Sequence, residues 1–126
     1  MNTYVLWIEM DKAKVFKIKI DGPVLKTLRR RQIRHHLSNE PENNKNCEKF
    51  FHEIADSVKD ANEILLMGPS LAKDHFKSFL TKHHHLGLAD KVVGTLTLDI
   101  QSDPRLLAHS RDFFTKYDAF TTSASV

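Results

Sequence analysis

The sequence holds one cysteine, four glycines and four prolines in 126 residues, and these scarcities exclude classes of protein. A lone cysteine, Cys47, cannot close an internal disulfide, so packing must hold the fold, as suits a reducing, cytoplasmic setting. So few glycines and prolines exclude collagen-like and low-complexity architectures. No run approaches the ~20 apolar residues that a membrane helix needs. Met1-Asn2-Thr3 leads straight into an amphipathic segment with no basic region or apolar signal core, so we expect neither a membrane span nor a processed leader. Patterns of the forms G-x-x-x-x-G-K-[ST], G-x-G-x-x-G and G-x-S-x-G are also missing, which removes the motif grounds for P-loop, dinucleotide and α/β-hydrolase chemistry.

What is present reads as one domain over residues 1–120, with 40% hydrophobic and 28% charged residues. Charge is unevenly spread. Residues 1–37 carry nine Lys/Arg against Glu9, Asp11 and Asp21, whereas residues 38–126 carry ten against thirteen acids. A basic first third on an otherwise acidic chain attracts polyanions locally.

Hydrophobic patterning gives the elements. "TYVLWIEM" (3–10) has apolar side chains at both parities, as in a strand covered on both faces. Asp11-Lys12 then reverses the chain, and "FKIKI" alternates cleanly, with Lys17 and Lys19 on a wet face. Asp21-Gly22-Pro23 signals a turn before a third strand, "VLKTL". Residues 29–44 show no apolar period and predict a long loop. Cys47, Phe50, Phe51, Ile54 and Val58 fall at helical spacing over 44–60. "EILLMG" (63–68) predicts a buried strand, and Ser70 caps a helix facing the core through Ala72, Phe76, Phe79 and Leu80. "KVVGTLTLDI" (91–100) predicts a last strand. Ser102 or Asp103, with Pro104 at the first helical position, opens a helix whose Leu106, Leu107, Ser110, Phe113, Phe114 and Tyr117 face the core. Residues 121–126 are expected to form a disordered tail. The order β-β-β-α-β-α-β-α predicts an α/β fold, a mixed sheet with helices on its faces.

The most distinctive stretch is "LRRRQIRHH". Arg29, Arg30, Arg31 and Arg34 offer planar, permanently charged donors suited to phosphate, and Gln32, His35 and His36 can bond bases, sugars or phosphates. These seven residues are the candidate RNA-binding site. Adjacent histidines in "KHHH" (82–85) cannot converge on one ion, so no metal site is expected there, and a helix end explains them. Gly68-Pro69-Ser70 reads as a tight turn and cap, to which Lys73 could add an anion contact. Cys47 on an apolar stripe reads as a packed thiol. Glu9 or Asp11, Glu48 or Glu53, and Asp99 stand where a two-metal nuclease would need carboxylates, which makes a metal-dependent nuclease the alternative. No catalytic residue, metal or cofactor is assigned. A protein-interaction module, including a homodimer, is a third reading.

"YVLWIEMDKAKVFKI", the basic loop, "CEKFFHEIADSV", "EILLMGPSLAKDHFKSFL" and "LDIQSDPRLLAHSRDFF" together resemble the middle domain of the archaeal and eukaryotic class-1 release factor and Pelota superfamily. They are also similar to its bacterial single-domain relatives, some described as translational machinery proteins. The resemblance covers residues 3–118. It implies a ribonuclease H-like, five-stranded mixed sheet, and a partner in the ribosome, ribosomal RNA or tRNA. In release factors the loop after the third strand carries Gly-Gly-Gln. Here Gln32 follows Arg30-Arg31, and arginine resists the backbone conformations open to glycine. The resemblance therefore implies a non-catalytic, ribosome-associated RNA-binding protein, not a peptidyl-tRNA hydrolase.

Overall fold

The computed structural model describes residues 1–35, 44–83 and 87–124, without the side chains of 44–47 and 120–124. Cys47, His84 and His85 therefore fall outside what is described of side chains, and so does His36.

Five strands form one mixed sheet in the order β3-β2-β1-β4-β5. They are β1 (Thr3–Ile8), β2 (Lys12–Asp21), β3 (Val24–Arg34), β4 (Glu63–Gly68) and β5 (Val92–Thr97). β1 runs antiparallel to β2 and parallel to β4, and β5 lies parallel to β4. Helices α1 (Asn44–Ser57), α2 (Ala72–His83) and α3 (Asp103–Ala124) complete the fold, with a single 3-10 turn at Leu88–Lys91 before β5.

The central strands are apolar at both parities because both faces are covered. Tyr4, Leu6 and Ile8 of β1 and Ile64 and Leu66 of β4 pack under α1 and α2, against Phe51, Ile54, Phe76 and Leu80. Val5, Trp7, Leu65 and Met67 face the other way, against Leu106 and Phe114 of α3. This is the expected α/β class with helices on both faces.

Gly22 adopts φ +60 before Pro23, and Asp21 pairs with Val24, so a two-residue loop joins β2 to β3 as the turn signal predicts. On β2 the wet face falls where "FKIKI" predicts it, in the second half of the strand. Ala13 and Val15 are buried under the helices, and Lys17 and Lys19 emerge beyond them on the same face.

The third strand departs most from expectation. It does not stop at Leu28 but continues through Arg29–Arg34, paired with β2 along its length and interrupted by one irregularity opposite Lys17/Ile18. The basic loop is therefore a basic strand. As an edge strand, β3 buries only Ile33, so it needs no apolar alternation, and cations are a common way to blunt such an edge.

α3 starts one residue earlier than Pro104 would place it. Leu106 N–H donates to Ser102 O, making Ser102 the cap and Pro104 the second helical residue. The helix also continues to Ala124, through the first four residues of the expected disordered tail. No described helix is long and apolar enough to cross a membrane.

Candidate nucleic-acid interface

All nine cations of the first third lie on the β2–β3 hairpin: Lys12, Lys14, Lys17 and Lys19 on β2, and Lys26, Arg29, Arg30, Arg31 and Arg34 on β3. Asp21 at the turn is the only acid between positions 12 and 34. Because the hairpin forms one margin of the sheet, this charge sits on an edge and both adjoining faces. Strand alternation sends Arg29, Arg31 and Ile33 to the side of α1, and Arg30, Gln32 and Arg34 to the side of α3.

The arginines differ in what holds them. Arg29 Nη2 donates to Tyr4 Oη (3.2 Å) and to Ser57 O at the end of α1 (3.3 Å). Arg30 Nε donates to Asp103 Oδ2 at 2.8 Å, while its guanidinium lies 5.9 Å from the Phe16 ring centre. Arg31 only approaches Glu53, at 3.7 Å with both side chains about half exposed, a geometry that stabilises little. Arg34 has no ion pair or side-chain hydrogen bond among the described residues, and Gln32 is exposed opposite Lys14. Arg29 and Arg30 thus fasten the edge to the helices, whereas Arg31 and Arg34 are exposed and held weakly or not at all among the described residues.

Asp103 is shared between Arg30 and Lys14, whose Nζ donates to Oδ1 at 2.8 Å, and it stands in the first turn of α3, where a negative charge is favoured. Burial pushes its carboxyl upward, but the hydrogen bonds from Lys14 and Arg30, with their charges, outweigh this and hold it below the ordinary value. A lowered folded value means that its stabilisation is present above the unfolded pKa and is lost as pH falls through the folded one. Asp103→Asn is expected to cost about 1–2 kcal/mol at neutral pH. In urea titrations the gap from the parent protein should narrow as pH falls below the ordinary aspartate range; a gap unchanged by acid would assign Asp103 another role.

Tyr4 shows the opposite sign. Burial first, then the 2.6 Å hydrogen bond to Asp60 and the charge of Asp60, push its phenol from 10.0 to about 12, against the lowering influence of Arg29. The neutral phenol's contribution is complete below pH 10 and is lost as pH rises through about 12. Tyr4→Phe should remove the tyrosinate absorbance step in that window and flatten the alkaline loss of stability.

Beside the end of β3 lies a cleft of about 380 Å³ between α1 and α2. His35 forms part of its wall. The His35 backbone N–H donates to Asp11 O (2.8 Å), its Nδ1 meets Met10 O at 3.2 Å, and its ring stacks on Phe50 with centres 4.9 Å apart at 8°. His35 is 8% exposed, and its Nε2 is buried with no hydrogen-bond partner among the described residues.

Of the carboxylates singled out for a nuclease, Glu9 and Glu48 line one cleft, but Asp99 does not join them there. Glu9 accepts the Trp7 indole N–H at 2.9 Å, Glu53 faces Arg31, and no three His, Cys, Asp or Glu side chains among the described residues could share an ion. Lys73 is not a free anion contact either. It is 2% exposed, donates to Ser70 O at 2.6 Å and lies 3.5 Å from Asp74.

Among solved structures the chain is similar to the Pelota protein of Thermoplasma acidophilum, with TM-score 0.60, 17% identity, and 82% of this chain and 30% of that one covered. Pelota of Archaeoglobus fulgidus matches with TM-score 0.51, 18% identity, and 80% and 27% covered. The fold is Pelota-like. This Pelota-like chain therefore spans under a third of the length of those two relatives. An Aquifex aeolicus PPX-GPPA enzyme shares the arrangement at TM-score 0.50 and 12% identity, with 77% of this chain and 36% of that one covered, so the fold alone does not decide between binding and catalysis. No family model matches the sequence, and no curated protein is similar to it at the sequence level.

In this Pelota-like sheet Arg30, Arg31 and Gln32 pair with Phe16, Val15 and Lys14 in extended backbone, which arginine adopts readily. The triplet compared with Gly-Gly-Gln thus sits in a strand, not at a loop tip. Sequence reasoning gathered the arginines but missed that Lys12, Lys14 and Lys26 join them on one edge. The signal was there: cations recur on both sides of the Gly22-Pro23 turn.

Proposed function

We propose that this chain is a cytoplasmic, ribosome-associated protein of translation that binds ribosomal RNA or tRNA through the β2–β3 edge and performs no catalysis. The observation that carries the reading is the concentration of nine cations and one acid on a single exposed hairpin. Blunting a sheet edge needs one or two charges; this one carries far more. Planar guanidinium groups suit phosphate, and the Pelota-like fold makes an RNA of the translation apparatus the natural polyanion. The nuclease alternative has no supporting constellation of carboxylates among the described residues.

Co-sedimentation with ribosomes across ~50 to ~300 mM salt tests the reading. With about four phosphates neutralised, log affinity should fall against log salt with a slope of about −3. Absence of binding at the lowest salt, or binding indifferent to salt, would contradict it.

A further inference from the structure

We propose that the cleft beside His35 receives one unstacked guanine base of the RNA held along β3. The inference rests on the RNA-binding reading above and names the part of the ligand that this second site recognises.

The side of the cleft formed by His35, Glu9 and Glu48 selects for donors. Nδ1 of His35 faces a carbonyl oxygen, Met10 O at 3.2 Å, so Nδ1 carries the proton, and in the neutral ring Nε2 is an acceptor. That acceptor is buried and has no partner among the described residues, in an interior where buried polar atoms are nearly always satisfied. Glu9 and Glu48 line the same space and also accept. Glu9 Oε2 takes the Trp7 N–H at 2.9 Å, and Glu48 lies 3.7 Å from His83 Nε2, so oxygens remain on both carboxylates. The rest of the wall combines aromatic rings with polar groups, Lys82, Ser78 and His75 among them. Phe50, already stacked on His35, lies beside Phe51 and Phe79.

A flat, aromatic ligand that offers N–H donors to the carboxylates and an acceptor to Lys82 matches this lining, and guanine carries ring acceptors as well as donors. Guanine answers this description: its ring N–H and adjacent amino group form the parallel pair that a carboxylate accepts, and its face stacks on phenylalanine. The position also fits a strand of RNA. Arg31, Ile33 and His35 follow one another on the same side of the sheet, so a phosphate at Arg31 and a base at His35 are separated by about 13 Å along β3. An aqueous cleft of this volume lies within the range of ordinary ligand sites.

The test uses guanosine, which carries no phosphate and therefore reads the cleft without the basic edge. Titration followed by backbone amide NMR should shift His35, Phe50, Phe51 and Phe79, and Arg31→Ala should leave that binding intact. His35→Phe keeps a ring on Phe50 but removes the acceptor, and Glu48→Gln removes a carboxylate from a partly exposed site with little risk to folding; each should weaken guanosine binding about 10-fold or more. Guanosine that shifts none of these amides, or binds both variants as it binds the parent protein, would overturn the inference while leaving salt-dependent ribosome binding standing. Conversely, guanosine binding without ribosome binding would sink the edge reading and leave the cleft as a nucleoside site.

Discussion

Gly68→Ala should destabilise the protein by about 3 kcal/mol and lower its Tm by roughly 10 °C, although only one methyl group is added. A Cβ at position 68 would stand 2.3 Å from the backbone oxygen of Ile8 and 3.4 Å from its carbonyl carbon. Those atoms belong to β1, the parallel neighbour of β4, which pairs with it through Trp7 and Met67 immediately before the contact. Backbone cannot rotate away as a side chain can, so the strands must part at their carboxyl ends. Pro69 follows at once, α2 starts at Ala72, and Gly68 O accepts the Leu98 N–H on the other side, which leaves little slack to absorb the shift. A variant with the parent Tm would show that β1 and β4 do not approach this closely.

The second large effect concerns binding. Replacing Lys19, Lys26, Arg31 and Arg34 together by alanine should reduce ribosome affinity on the order of 100-fold at moderate salt and flatten the salt slope by about 3. All four are exposed, and the only described partner among them is Glu53, at 3.7 Å from Arg31, so the fold should survive the change. Arg29 and Arg30 are deliberately left in place. Alanine there would strip Tyr4, Ser57 and Asp103 of hydrogen bonds and mix a stability loss into the binding result. Unchanged affinity and slope in the quadruple variant would remove the edge from the mechanism.

The difference between these two groups of arginines was invisible in the sequence. Four arginines within six residues announce a polyanion contact, but nothing local says that Arg30 meets Asp103, 73 positions away. The elements with a buried face were legible: "EILLMG" matches β4 residue for residue, because a continuous apolar run ended by Gly-Pro has few other uses. The helical spacing of Leu106, Phe113, Phe114 and Tyr117 likewise marks the face of α3 that packs on the sheet. β3 was legible only to Leu28, because an edge strand is held by its backbone ladder to β2 and carries no apolar rhythm that periodicity could detect. The orphaned Nε2 of His35 depends on the ring of Phe50 and the oxygen of Met10, both brought by other segments, so composition could flag the histidine but not its role.

Site-specific photocrosslinking tests the central claim most directly. A photoreactive residue in place of Leu28, 57% exposed on β3, should crosslink to ribosomal RNA or tRNA when the protein is bound to ribosomes at low salt. The same group in place of exposed Thr95, on β5 at the opposite edge of the sheet, should yield no RNA adduct. RNA adducts from position 95 and none from position 28 would contradict the assignment of the basic edge as the nucleic-acid interface.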